Sequence, residues 1–170
     1  MPIADEATQQ NQYLTFYLAG EEYGIGILRV REILEYDTLT KVPQTPPSIR
    51  GVINLRGSAV PVVDLAAKFA LPPSPVTKRT CIVIVEVDLA GQRTVMGVLA
   101  DAVSQVVDLT ATDIEAPPAF GTHVRPHYLQ GMAKVGKKFL LLLEVDGVLA
   151  APELLAAEAS IAAGMVVQAG

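Results

Sequence analysis

The side chains that could do chemistry are few. His123 and His127 are the only histidines, four residues apart. On a helix that spacing would place two metal ligands on one face. Pro126 lies between them and Gly121 and Pro117-Pro118 precede them, so a helix is not expected and the pair reads as surface loop histidines. Cys81 is the single cysteine, set in the apolar run Cys-Ile-Val-Ile-Val. It can form no internal disulfide and reads as a small buried hydrophobe rather than a nucleophile. Glu21-Glu22 falls in a turn signal, where paired carboxylates are simply solvated. Gly24 and Gly26 begin a dinucleotide-type glycine pattern, but Arg29 occupies the third glycine position. No H-E-x-x-H, C-x-x-C, G-x-S-x-G or P-loop motif is present. The chain is therefore expected not to be an enzyme and to carry no metal and no cofactor.

What remains is a set of charges inside apolar surroundings. Arg50, Asn54, Arg56 and Asp64 interrupt Ile49 to Leu65, IRGVINLRGSAVPVVDL, a stretch otherwise built for burial. A polar group in such a place needs a partner or must reach the surface. Glu32, between Val30 and Ile33, is the other charge of interest. Glu32 and Arg56 read equally as two solvated charges of little consequence or as a pair that orients a partner on a surface of Val, Ile and Leu.

The elements that must position these groups are mostly short strands. Ile49 to Leu65 reads as a β-hairpin broken at Arg56-Gly57-Ser58. Pro61 predicts that the second arm is an edge strand or is bent there. Asp64 is placed to cap a short helix ending before Pro72-Pro73. Upstream, Gln12 to Ala19 and Tyr23 to Ile27 predict a hairpin turning at Gly20-Glu21-Glu22. Leu28 to Tyr36 is ambiguous between a helical turn at Leu28 to Val30 and a strand from Arg31. Val42 to Ser48 is a proline-rich connector, and the Pro72 to Arg79 loop is a candidate subdomain boundary. Downstream, strands are expected over Thr80 to Leu89, Gln92 to Leu99 and Ala102 to Leu109, with an irregular segment Ala116 to Arg125. A last hairpin joins Tyr128 to Val135 with Phe139 to Val145, and Pro152 to Ala163 predicts a C-terminal helix. Four or five strands on each side of the proline loop, with few helices, predict an all-β fold of two small barrel-like lobes.

Composition agrees. The 170 residues are 51% hydrophobic and 18% charged, which describes a folded chain with a real core. The formal net charge of −5 opposes phosphate-driven nucleic-acid binding, despite a small cluster at Lys134, Lys137 and Lys138. The polar N-terminus has no signal-peptide pattern and no apolar run is long enough to cross a bilayer, so no membrane insertion and a cytoplasmic location are expected.

Ile49-Arg50-Gly51-Val52-Ile53-Asn54-Leu55-Arg56-Gly57 followed by Val60-Pro61-Val62-Val63-Asp64-Leu65 resembles the signature of the CheW-like family of bacterial chemotaxis coupling proteins. Gln12 to Tyr36, Val98 to Leu109 and Tyr128 to Val145 resemble further family segments, so the likeness spans nearly the whole chain. It implies two SH3-like five-stranded β-barrel subdomains around a shared hydrophobic core, forming a single domain over residues 12–150. A flexible leader would occupy residues 1–11, and a C-terminal helix and tail residues 151–170. It also implies an adaptor whose partners are the regulatory domain of a CheA-type histidine kinase and the cytoplasmic tip of chemoreceptors. The protein would then reach receptor arrays at the inner face of the membrane only through those partners. By position, Glu32 and Arg56 match charged coupling positions, and Val30, Val103 and Val106 match apolar positions near partner surfaces. Arg50 and Asn54 join them as candidate contacts, while Gly51 and Gly57 are expected to set backbone turns. Service in a non-flagellar chemosensory system, or a small-ligand-binding barrel, are the alternatives.

Overall fold

The computed structural model describes residues 11–43, 45–89, 91–116 and 128–149. The leader, the histidine pair, most of the irregular Ala116 to Arg125 segment and the helix expected from Pro152 lie outside the described residues. More than half of the described residues lie in strands. β1 (Gln12–Leu18) and β2 (Glu21–Gly26) form the first hairpin, and a 3₁₀ turn at Ile27–Arg29 leads into β3 (Val30–Glu35). β4 (Ile49–Leu55) and β5 (Ser58–Val63) form the second hairpin, closed by the short helix α1 (Leu65–Lys68). β6 (Cys81–Leu89), β7 (Gln92–Ala100) and β8 (Ala102–Asp108) follow, then the two-residue β9 (Ile114–Glu115). β10 (Leu129–Val135) and β11 (Lys138–Leu143) form the last hairpin, closed by α2 (Val145–Leu149).

These strands build two curled sheets, ordered β8-β1-β2-β11-β10-β9 and β3-β6-β7-β5-β4. Each combines strands from before and after the Pro72 to Arg79 loop, so that loop does not divide one lobe from the other. The likeness between lobes is detailed. β5 runs parallel to β7 at Val62–Gly97, and β11 runs parallel to β2 at Leu142–Gly24. The β4–β5 hairpin shifts register between Ile49 and Gly51, and the β10–β11 hairpin shifts between Leu129 and Gly131. In the first lobe the chain after β3 returns along β4 as a Thr40–Val52 bridge; in the second β9 does the same along β10.

Burial explains why the strands read as continuous apolar runs. Val60, Val62, Ile82, Ile84 and Leu99 fill one barrel, and Tyr13, Leu109, Ala133, Leu140 and Leu142 fill the other. Between the barrels lies a larger cluster that includes Phe16, Tyr23, Val63, Val83, Val85 and Met96. Alternate residues of β6 thus face a barrel interior and the shared core, and both faces must be apolar. This is the mainly-β, two-barrel arrangement expected from the sequence.

Three local expectations change. The first hairpin turns at Ala19-Gly20, both at positive φ, and Glu21 already belongs to β2. β5 is an interior strand, not an edge. Pro61 is tolerated because Val52 opposite it directs its own N–H and C=O to Thr40. The missing Pro61 N–H therefore points toward β7, ahead of the first β5–β7 pair at Val62. Finally, the strand expected to reach Val145 ends at Leu143, and Val145 is instead the first residue of α2.

Candidate docking surface

The turn between β4 and β5 is Arg56-Gly57, with φ of +51° and +89°. Two successive positive φ values suit a two-residue hairpin turn, and only the second position carries glycine. Asn54 steadies that geometry: its Oδ1 accepts the Gly57 N–H at 2.8 Å. The turn projects the Arg56 guanidinium back over β3, where Nη1 donates to Glu32 Oε2 at 2.8 Å and Nη2 to Glu32 Oε1 at 3.2 Å. This is a two-pronged Arg–carboxylate pair, the most directional form of ion pair. Arg56 is 72% exposed and Glu32 27%. The hydrogen bond from Arg56, ahead of the charges of Arg56 and Arg31, holds the Glu32 carboxyl below its ordinary value. The same hydrogen bond and charge raise Arg56.

Arg50 and Asp64 form a second pair with a different character. Asp64 is buried and caps α1, its Oδ1 accepting the Ala67 N–H at 3.2 Å. Its other oxygen accepts Arg50 Nη1 at 2.8 Å. Arg50 thus compensates a buried carboxylate, and the cap expected at Asp64 is present.

Gly51 is not in a turn. It lies inside β4 at the register shift, with φ of +153°, and a Cβ there would meet the Thr40 carbonyl oxygen at 2.6 Å. The Thr40 backbone bonds Val52 in both directions, so Gly51 lets the connector close the barrel over β4.

The structure brings Glu32, Asn54 and Arg56 together, keeps Val30 on the same strand as Glu32 and leaves the other two valines on the other sheet. Val30 is half-buried against the shared core at the start of β3. Val103 and Val106 lie on β8, an outer strand of the other sheet. Val103 packs against the shared core, whereas Val106 is 49% exposed.

Sequence reasoning missed Arg29 and Asp146. Arg29 Nη1 and Nη2 donate to Asp146 Oδ1 and Oδ2 at 3.0 and 2.7 Å, across 117 residues of chain. No local spacing announces such a pair. Both residues line a cleft beside Glu86 and Arg93, where Glu86 also faces Arg31 at 3.6 Å and Arg93 at 3.8 Å. Arg29 is thus paired with Asp146, and Arg93 with Glu86, within it. Among the described residues, no three His, Cys, Asp or Glu side chains are grouped to hold a metal ion. No helix among them is long and apolar enough to cross a membrane.

Comparison with known proteins agrees with this architecture. Residues 12–153 match the family model described as a CheW-like domain. The chemotaxis protein CheW of Klebsiella aerogenes is 39% identical over 152 residues, covering 89% of this chain and 89% of that protein. Protein FrzA of Myxococcus xanthus is 30% identical over 127 residues, 75% of this chain and 77% of its own. The crystal structure of the scaffolding protein TtCheW from Thermoanaerobacter tengcongensis superposes with a TM-score of 0.75. It is 33% identical and covers 85% of this chain and 95% of that one. The interleaved barrels, the hairpin that carries Arg56 and these relationships together establish that the chain belongs to the CheW-like family of chemotaxis coupling proteins.

Proposed function

We propose that this protein is a non-catalytic adaptor joining the cytoplasmic tip of chemoreceptors to the regulatory domain of a CheA-type histidine kinase. One observation carries the choice of surface: a two-pronged Glu32–Arg56 pair whose guanidinium is exposed at the tip of a closed barrel. Such a pair adds little to stability at an exposed position. It does present a defined charge pattern to a partner, which sets register and encounter rate more than raw affinity. Asn54 and Arg50 act behind it, the first holding the turn and the second holding the end of the hairpin against α1. Val30 and Val106 supply apolar contact on separate lobes, so that two partners can be engaged at once. Signal passes because one partner's state alters the fit of the other, a coupling of roughly 1–3 kcal/mol. The protein would work in the cytoplasm, held at receptor arrays through its partners.

The test is an affinity capture from lysate of the source cell, comparing wild type with Arg56→Glu at matched folding. A kinase of this type and receptor fragments should be captured by wild type and fade with the variant. Equal capture by both would place docking elsewhere. Capture of neither, with both expressed, would overturn the adaptor assignment.

A further inference from the structure

The chain passes from one sheet to the other at the 3₁₀ turn Ile27–Arg29, and the strand that begins there, β3, is an outer strand whose ladder among the described residues is with β6 alone. Its register is irregular at once: Val30 lies opposite Val85, yet Glu32 lies opposite Ile84. That extra residue decides which face of β3 Glu32 falls on, because a slip of one position sends every side chain to the opposite face. An outer strand with a bulge at its first residues is weakly specified by its own ladder. Something else must hold its start.

Arg29 immediately precedes the bulge, and its guanidinium is gripped from the other lobe. Asp146, in the helix that closes the β10–β11 hairpin, takes both Arg29 Nη atoms. Asp146 Oδ1 also accepts the Asp88 N–H at 2.9 Å, from the stretch of β6 beyond its last pairing with β3. Arg29 Nη1 reaches the Glu86 carbonyl at 3.4 Å. One carboxylate thereby ties the head of β3, the overhang of β6 and the end of the second barrel into one joint.

We propose that Asp146, acting through Arg29, is a positioning residue for the Glu32–Arg56 pair: it fixes the bulge that turns Glu32 toward Arg56. The importance of that pair for partners rests on the adaptor reading. The positioning itself is a property of the free protein and is measured without any partner, so the two can fail separately.

The experiment follows the Glu32 carboxyl titration and the Arg56 side-chain signals by NMR in wild type, Asp146→Asn, Asp146→Ala and Arg29→Lys. Arg56 and Arg31 are the charged groups acting on Glu32, and none of these variants alters them. With the joint opened, Glu32 should titrate upward toward the ordinary carboxylate range and the Arg56 guanidinium signals should lose their bound character. Asp146→Asn keeps an acceptor for the Asp88 N–H and should remain folded. Arg93→Ala, which removes a neighbouring charge 3.8 Å from Glu86 without touching the head of β3, should leave Glu32 unchanged. An unchanged Glu32 titration in Asp146→Asn, Asp146→Ala and Arg29→Lys, with only a lowered melting temperature, would reduce Asp146 to a structural residue and overturn the proposal.

Discussion

Replacing Gly51 with alanine is expected to be among the most damaging single-methyl additions in the molecule. Two costs arise together. A side chain at φ +153° is strained whatever the space around it. The added Cβ would also sit 2.6 Å from the Thr40 oxygen and 3.0 Å from Leu39 Cβ. The Thr40 carbonyl is backbone and cannot rotate away. Relief requires the connector to lift, breaking the Thr40–Val52 bonds of 3.0 and 2.8 Å. Backbone strain of about 1–3 kcal/mol plus two hydrogen bonds of about 1 kcal/mol each gives roughly 3–5 kcal/mol. For a chain of this size that lowers the melting temperature by on the order of 10 °C. Gly57→Ala is the comparison, since its φ is +89° but nothing lies within 4 Å of the added Cβ. It should cost only the left-handed backbone term, about 1–2 kcal/mol. Urea unfolding of both variants, with amide exchange at Thr40 and Val52, measures the difference. If Gly51→Ala costs no more than Gly57→Ala, or leaves both amides protected, the clash at Thr40 is not what holds this position to glycine.

Other expectations follow from the same geometry. Asp64→Ala should lower stability by about 1–2 kcal/mol through loss of the α1 cap, with Asp64→Asn recovering most of it in chemical denaturation because the acceptor remains. Arg56→Ala should return the Glu32 carboxyl to its ordinary range in an NMR titration. In wild type the depressed Glu32 contributes stability fully above its unfolded pKa and loses it as pH falls through the folded value. The variant should lack that part of the acid limb, and an unmoved Glu32 would show that the pair does not persist in solution. Burial raises the Cys81 thiol despite an opposing backbone hydrogen bond at Val103. Its alkylation should therefore track urea unfolding, whereas rapid stoichiometric labelling in native buffer would contradict the buried placement.

Much of this architecture is legible from neighbouring residues because the governing interactions are local. The hairpin around Arg56-Gly57 follows from two apolar arms and a turn, and the α1 cap follows from Asp64 before a short apolar run. The pairing of strands from opposite ends of the chain is not local, which is why a proline loop looked like a lobe boundary. Pro61 misled for a similar reason: whether a missing N–H matters depends on a partner strand more than thirty residues away, and here the parallel ladder with β7 starts one residue later. α2 was hidden by its length and by Gly147, which lowers helix propensity. At the candidate site, Glu32 and Arg56 could be named from the sequence but not their contact, which needs the barrel to close. Arg29 and Asp146 could not be named at all, since each looks like an ordinary surface charge until the lobes interleave.

The adaptor account is tested most directly by calorimetric titration with a purified kinase regulatory domain and a receptor cytoplasmic fragment, singly and together. The prediction is that wild type binds each, and that saturation with one changes the affinity for the other by about 5- to 150-fold. Arg56→Glu should weaken binding or abolish that coupling. Binding of only one partner, or of both with no mutual effect and no sensitivity to Arg56→Glu, would contradict the claim that this surface couples two partners.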